Sequence, residues 1–177
     1  MFYLKLKTFF TNRIIVVLAI LWILMNLLMK FGSAGTNSLI QLNEDIEIPD
    51  LMFGYNYNSL YTLLENFGKQ GRSNYLDFQF YDYVYPLIYS SLLLGIFIRL
   101  NSIKTINFWI YLPWIGAIAD YFENILLRDI IISFPKMDDN LVQISSVFTI
   151  AKWLLAYITI GLIIILILKK LYLKFLK

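Results

Sequence analysis

The chain of 177 residues is 59% apolar and 18% aromatic, and its 15% of charged residues falls well below the roughly 25% of an ordinary soluble domain. A mean hydropathy of +0.67 fits a single domain, 1–177, that shares its core with lipid. The absence of cysteine and histidine excludes disulfides, thiol nucleophiles, imidazole acid–base catalysis, haem ligation and the usual zinc sites; any metal would need oxygen ligands, and no metal or cofactor is expected.

Lys5, Lys7 and Arg13 precede the first apolar run, which reads as a transmembrane helix over about 14–30 with a basic cytoplasmic start. A cleavable signal peptide competes, because the run is short and Ser33-Ala34-Gly35 follows it. Trp22 and Asn26 suit a signal peptide poorly and Phe9-Phe10 lengthens the apolar stretch, so an uncleaved helix is preferred.

An outer loop is expected over about 31–74. Its first part, through Asp50, is rich in Gly, Ser, Asn and acids and reads as irregular. Asn58 or Ser59 then caps a short amphipathic helix with Leu60, Leu63, Leu64 and Phe67 on one face, closed by Gly68 and suited to the membrane surface. A turn over 68–72 follows. A second membrane helix covers about 75–100, with a kink at Pro86, where a backbone donor is missing. Arg99 and Lys104 flank a short turn before a third helix over about 105–132. After a polar loop with Pro135, Asp138 and Asp139, a fourth helix spans about 141–168. The expected fold is all-α, a polytopic membrane four-helix bundle with a short amphipathic helix in the first outer loop.

Orientation follows from charge. The proposed inner pieces hold Lys5, Lys7, Arg13, Arg99, Lys104, Lys169, Lys170, Lys174 and Lys177, nine of the fifteen basic residues, and none of the twelve acids. Both termini are therefore expected in the cytoplasm of a multi-pass protein of the plasma (inner) membrane. The net charge of +3 does not point to nucleic acid, because the basic residues lie at the ends of apolar runs and not on one face.

Four charges lie inside the apolar runs at similar depth. Asp82 is seventeen residues from Arg99 and Lys152 is seventeen from Lys169, roughly 25 Å at about 1.5 Å per residue. Asp120 and Glu123 lie sixteen and nineteen residues from Lys104, roughly 24 and 28 Å, so all four fall in the outer third of a core about 30 Å thick. Charge in hydrocarbon is costly, which makes this group the candidate site.

Asp120, Glu123 and Asn124 share one helical face, continued inward by Gly116 and Pro113, and Gly116-Ala117 would admit a close neighbour. Tyr75, Gln79, Asp82, Pro86 and Tyr89 form a second polar stripe, which Arg72 extends if the helix begins early. Tyr157 lies about a turn inward of Lys152. The candidate acid–base residues are thus Asp82, Asp120, Glu123 and Lys152, with Arg72, Tyr75, Gln79, Tyr89, Asn124 and Tyr157 as binding candidates. Three acids against Lys152 leave surplus negative charge unless Arg128, Arg72 or Lys30 reaches in or one acid is protonated. Helix-register charges and a snorkelling Lys152 are the structural alternatives.

The segment Asp82-Tyr83-Val84-Tyr85-Pro86-Leu87-Ile88-Tyr89, then Leu112-Pro113 with Asp120-Tyr121-Phe122-Glu123-Asn124, then Lys152-Trp153, resembles a widespread, functionally uncharacterised family of bacterial four-helix integral membrane proteins. That family's pattern is D-x-x-Y-P-x-x-Y, then L-P with D-x-x-E-N, then a late Lys; Gly68 through Tyr75 resembles its G-x-x-G-R-x-x-Y segment. The resemblance covers about 60–168. It implies an integral membrane location and no reaction.

Three functions fit these residues. One is an outward-facing pocket that binds or processes a lipid-like or other membrane-soluble molecule, with proton-transfer or isomerase chemistry if it is an enzyme. Another is a small proton- or cation-coupled transporter, which would have to oligomerise. The third is an accessory subunit whose charges fix helix packing. Expected partners are membrane lipids, further copies or a larger membrane complex. A divalent cation held by Asp82, Asp120 and Glu123 is a weaker variant of the first.

Overall fold

The computed structural model describes residues 2–40, 47–101 and 108–176, and the described residues are helices joined by turns. Helix α1 (Phe2–Phe9) leads into α2 (Asn12–Phe31), whose first turn is capped by the Thr11 hydroxyl accepting from the Ile14 amide at 3.3 Å. The junction docks on the next long helix pair: Phe10 is buried, and its carbonyl accepts from Arg99 Nε at 2.7 Å. Much of α2 is otherwise exposed apolar surface.

The stretch read as irregular loop holds two short organised pieces among its described residues. A short helix α3 (Thr36–Ile40) and a 3-10 turn at Pro49–Leu51 carry the buried Leu39, Pro49 and Asp50. A capping box between Asn56 and Ser59 then opens α4 (Tyr57–Asp82), so the cap lies slightly earlier than expected.

The expected breaks at Gly68 and Pro86 fall out differently. Gly68 does not end a helix ahead of a turn over 68–72; it adopts φ +60° and ψ −174°, bending α4 sharply while helix resumes at once. Arg72 spans that bend, donating to the Leu64 carbonyl at 2.7 Å with its guanidinium 4.3 Å from the Phe134 ring centroid. The expected 75–100 helix is also divided. α4 stops at Asp82, and α5 (Tyr85–Leu100) begins with Pro86 in its first turn. Proline disfavours helical conformation in the residue before it and offers no N–H to the carbonyl four positions back, so it opens a new helix here.

A 3-10 turn at Phe108–Tyr111 precedes α6 (Leu112–Ser133); the expected onset at Thr105, and Lys104, lie outside the described residues. α7 (Asp139–Phe175), N-capped by Asp138, extends well past the expected end at 168 because its Lys- and Leu-rich tail contains no Gly or Pro to stop it. Lys177 lies outside the described residues.

Three helical stretches are long and apolar enough to cross a membrane: Asn12–Leu39, Tyr57–Leu100 and Asp139–Phe175. α6, at 22 residues, has the length but carries Asp120, Glu123, Arg128 and Asp129. It packs most extensively against α7, with Gly116 facing Leu155.

Two apolar clusters form the core. One joins Leu60, Leu64 and Phe78 of α4 to Leu127 and Ile130 of α6 and Val142 of α7. The other joins Phe10 to Leu94, Phe97 and Ile98 of α5 and Ile163 of α7. Along α6 and α7, and along the α4–α5 pair, the buried polar residues fall between these clusters.

Candidate functional site

That polar layer is built around Lys152, which α7 presents only 8% exposed. Its ammonium nitrogen lies 2.6 Å from Glu123 Oε2, 3.2 Å from Asp120 Oδ1 and 3.4 Å from Asp50 Oδ1. The i, i+3 spacing on α6 puts Asp120 and Glu123 on the face against α7. Each carboxylate has a second donor: Thr149, one turn before Lys152, donates to Glu123 Oε1 at 2.7 Å, and the Tyr89 hydroxyl donates to Asp120 Oδ2 at 3.1 Å. The Tyr75 hydroxyl donates to Asp50 Oδ2.

Asp50 comes from the stretch expected to be irregular loop, and local pattern reading missed it. Its carbonyl accepts from Trp153 Nε1 at 3.2 Å. Just beyond, the Tyr55 amide donates to Ser146 Oγ at 2.9 Å, and the Tyr55 and Ser145 hydroxyls share a 2.7 Å hydrogen bond. Burial, and then the Glu123 carboxylate, push the Tyr55 phenol above its ordinary range, so it stays neutral there. Gly54, at φ +94°, lets the chain pass so close to α7 that a Cβ would lie 3.0 Å from Ile150. The available signal for Asp50 was its setting: an acid inside Ile48-Pro49-Asp50-Leu51-Met52-Phe53, an apolar island in a polar stretch.

The other candidates fall into three groups. Asp82, Gln79 and Asn124 are buried in the same layer at the α4–α6 crossing, with Asp82 electrostatically close to Asp50, Asp120 and Lys152 but in no ion pair among the described residues. Tyr75 and Tyr89 are hydrogen-bonded to cluster carboxylates, as above. Arg72 and Tyr157 are outside it: Arg72 serves the Gly68 bend, and Tyr157 is 55% exposed and stacks on Trp153 at 5.6 Å between ring centroids.

No base considered as a further partner is seen pairing with the cluster. Lys30 lies over the Phe31 ring at 5.4 Å, and Arg128 lines a surface groove with Asn74, Asp77 and Tyr83. Four acids, Asp50, Asp82, Asp120 and Glu123, therefore face one lysine, and −4 + 1 gives a formal −3 if all are ionised. Uncompensated charge of that size is very costly away from water, so protons or bound cations must reduce it. The layer is buried: Glu123 is 0% exposed, and Asp50, Asp120 and Lys152 are nearly so. Among the described residues, no three Asp or Glu side chains are arranged to hold a metal ion.

Comparisons with protein-family models, curated proteins and solved structures find no match to the chain.

Proposed function

We propose that this chain is a multi-pass protein of the plasma (inner) membrane, with four crossing helices and both termini cytoplasmic, whose buried acid–lysine layer is a binding site for a lipid-like or other membrane-soluble molecule. Three apolar stretches of spanning length and the resemblance of the 60–168 segment support the membrane setting. The observation that carries the site is the way Asp50 enters it. Asp50 arrives from a connecting segment; its carboxylate meets Lys152 Nζ and the Tyr75 hydroxyl, and its main-chain carbonyl accepts from the Trp153 indole N–H. If that segment withdraws, the same three donors would receive the polar head of an amphiphile, with its tail among the apolar helix faces.

Mass spectrometry of lipids and small molecules copurifying with the full-length protein tests this reading. A class of amphiphile enriched with the native chain and lost from Lys152→Met supports it. The same complement from both, with Lys152→Met folded, ends it. Variants that only lose thermal stability favour a charge network that fixes helix packing.

A proton- or cation-coupled transporter is the second reading, and the surplus of three acids favours it, because such a layer must exchange positive charge whenever it opens. The apolar cluster of Leu94, Phe97, Ile98 and Ile163 beyond the layer opposes a continuous polar path. pH-dependent flux in proteoliposomes would distinguish this reading.

A further inference from the structure

The α4–α6 crossing holds oxygen atoms that the ion pairs around Lys152 do not use. Gln79 and Asp82 share one face of α4, three residues apart, and Asn124 meets them from α6. Gln79 Nε2 donates to the Asn124 carbonyl at 3.1 Å, and Asn124 Nδ2 approaches the Asp82 carbonyl at 3.5 Å. The Asp82 carbonyl is available because Pro86, four positions on, has no N–H to offer it.

These contacts fix which way both amides face. Turning either one over would set its oxygen against a backbone oxygen, so the nitrogens belong where they are and the oxygens are the free ends. Gln79 Oε1, Asn124 Oδ1 and Asp82 Oδ2 are all buried without a hydrogen-bond partner among the described residues, while the Asn124 amide nitrogen also acts on the Asp82 carboxyl group. The three residues are 0%, 0% and 4% exposed in the order Gln79, Asn124, Asp82. Buried acceptors are normally satisfied, and three unsatisfied ones at a single crossing call for an occupant, a water or a cation.

We propose that Asp82, Gln79 and Asn124 form a binding site for a small hard cation, with sodium the first to test. One carboxylate and two amide oxygens make an all-oxygen donor set of low formal charge, which suits such ions and not thiolate- or imidazole-seeking metals. The surrounding charge acts in the same direction. Lys152 is already engaged by Asp50, Asp120 and Glu123, and a monovalent cation would take the formal −3 of the layer to −2. A water molecule could donate to two of the oxygens but would leave the charge unchanged. The site uses none of the oxygens paired with Lys152, so it stands independently of the amphiphile reading.

The test is thermal unfolding of the purified full-length protein in detergent, followed by tryptophan fluorescence, with sodium chloride exchanged for N-methylglucamine chloride at constant ionic strength. The expected result is a saturable rise in Tm with sodium that is lost in Asp82→Asn. Equal unfolding in the two salts, or an equal sodium shift in wild type and Asp82→Asn, would overturn the proposal. Should Asp82→Asn fail to fold, sodium-23 NMR relaxation on the wild-type protein decides: specific, saturable broadening supports the site, and its absence overturns it.

Discussion

Asp50 Oδ1 and Lys152 Nζ lie 3.4 Å apart although 102 positions separate them in the chain, and this contact ties a connecting segment to the buried layer of α6 and α7. The three carboxylates that meet Lys152 come from different places. Asp120 and Glu123 are held by one helix, whereas Asp50 sits in a 3-10 turn ahead of α4. That asymmetry makes the partners separable by mutation.

Lys152→Met should cost about 3–5 kcal/mol, because it leaves buried carboxylates without their cation. Asp50→Asn removes one of the surplus charges while keeping a polar side chain for Tyr75, and should be far milder. Thermal unfolding in detergent compares them. Equal stabilities would mean that the layer is wetter than its burial implies.

Asn124→Leu should cost about 1–3 kcal/mol, since it strips the donor from the Asp82 carbonyl that Pro86 leaves without a helical partner. Tyr121→Phe is the control at the same break, removing a 2.8 Å bond to the Tyr83 carbonyl at a half-buried position, where water can substitute. The order of the two Tm losses is the measurement. A larger loss for Tyr121→Phe would contradict it.

Gly68→Ala should destabilise by about 1–3 kcal/mol through backbone strain alone, because a Cβ at this position meets nothing within 4 Å. Unchanged stability would show that α4 can straighten without loss. Circular dichroism would then register added helix.

The lack of native cysteine makes single-thiol mapping clean. In intact cells, Asn58→Cys at the start of α4 should react with a membrane-impermeant maleimide, whereas Phe175→Cys, at an 89% exposed position, should react only after permeabilisation. The reverse pattern would invert the proposed orientation.

What could be read from sequence was set by the range of the signal. Asp120, Glu123 and Lys152 stood out because each interrupts an apolar run, and the structure brings them within ion-pair distance. Asp50 could not be found this way, since acids are ordinary in a polar stretch and its partner is remote. Tyr157 was placed with Lys152 on linear distance, but five residues turn a helix by about 140° beyond a full revolution, which carries it to another face. Gly68 and Pro86 were both visible as breakers. Whether a breaker bends a helix, ends it or begins the next depends on packing that local sequence does not contain.

The length of α7 has a consequence for what holds the two ends of the protein together. Lys152 lies thirteen residues, or roughly 20 Å, from Asp139 and seventeen residues, or roughly 25 Å, from Lys169. In the proposed orientation, with the lysine tail at the inner headgroups and a hydrocarbon slab of about 30 Å, roughly 15 Å of α7 would rise above the slab beside the first half of α4. Leu60, Leu64 and Val142 would then form the interior of a dome washed by water, while Leu94, Phe97 and Ile163 would meet among acyl chains. Water drives the first group together, but in lipid only close packing favours the second. Urea should therefore loosen the dome while the inner half stays associated, and the Lys152 layer would mark the seam between two solvents.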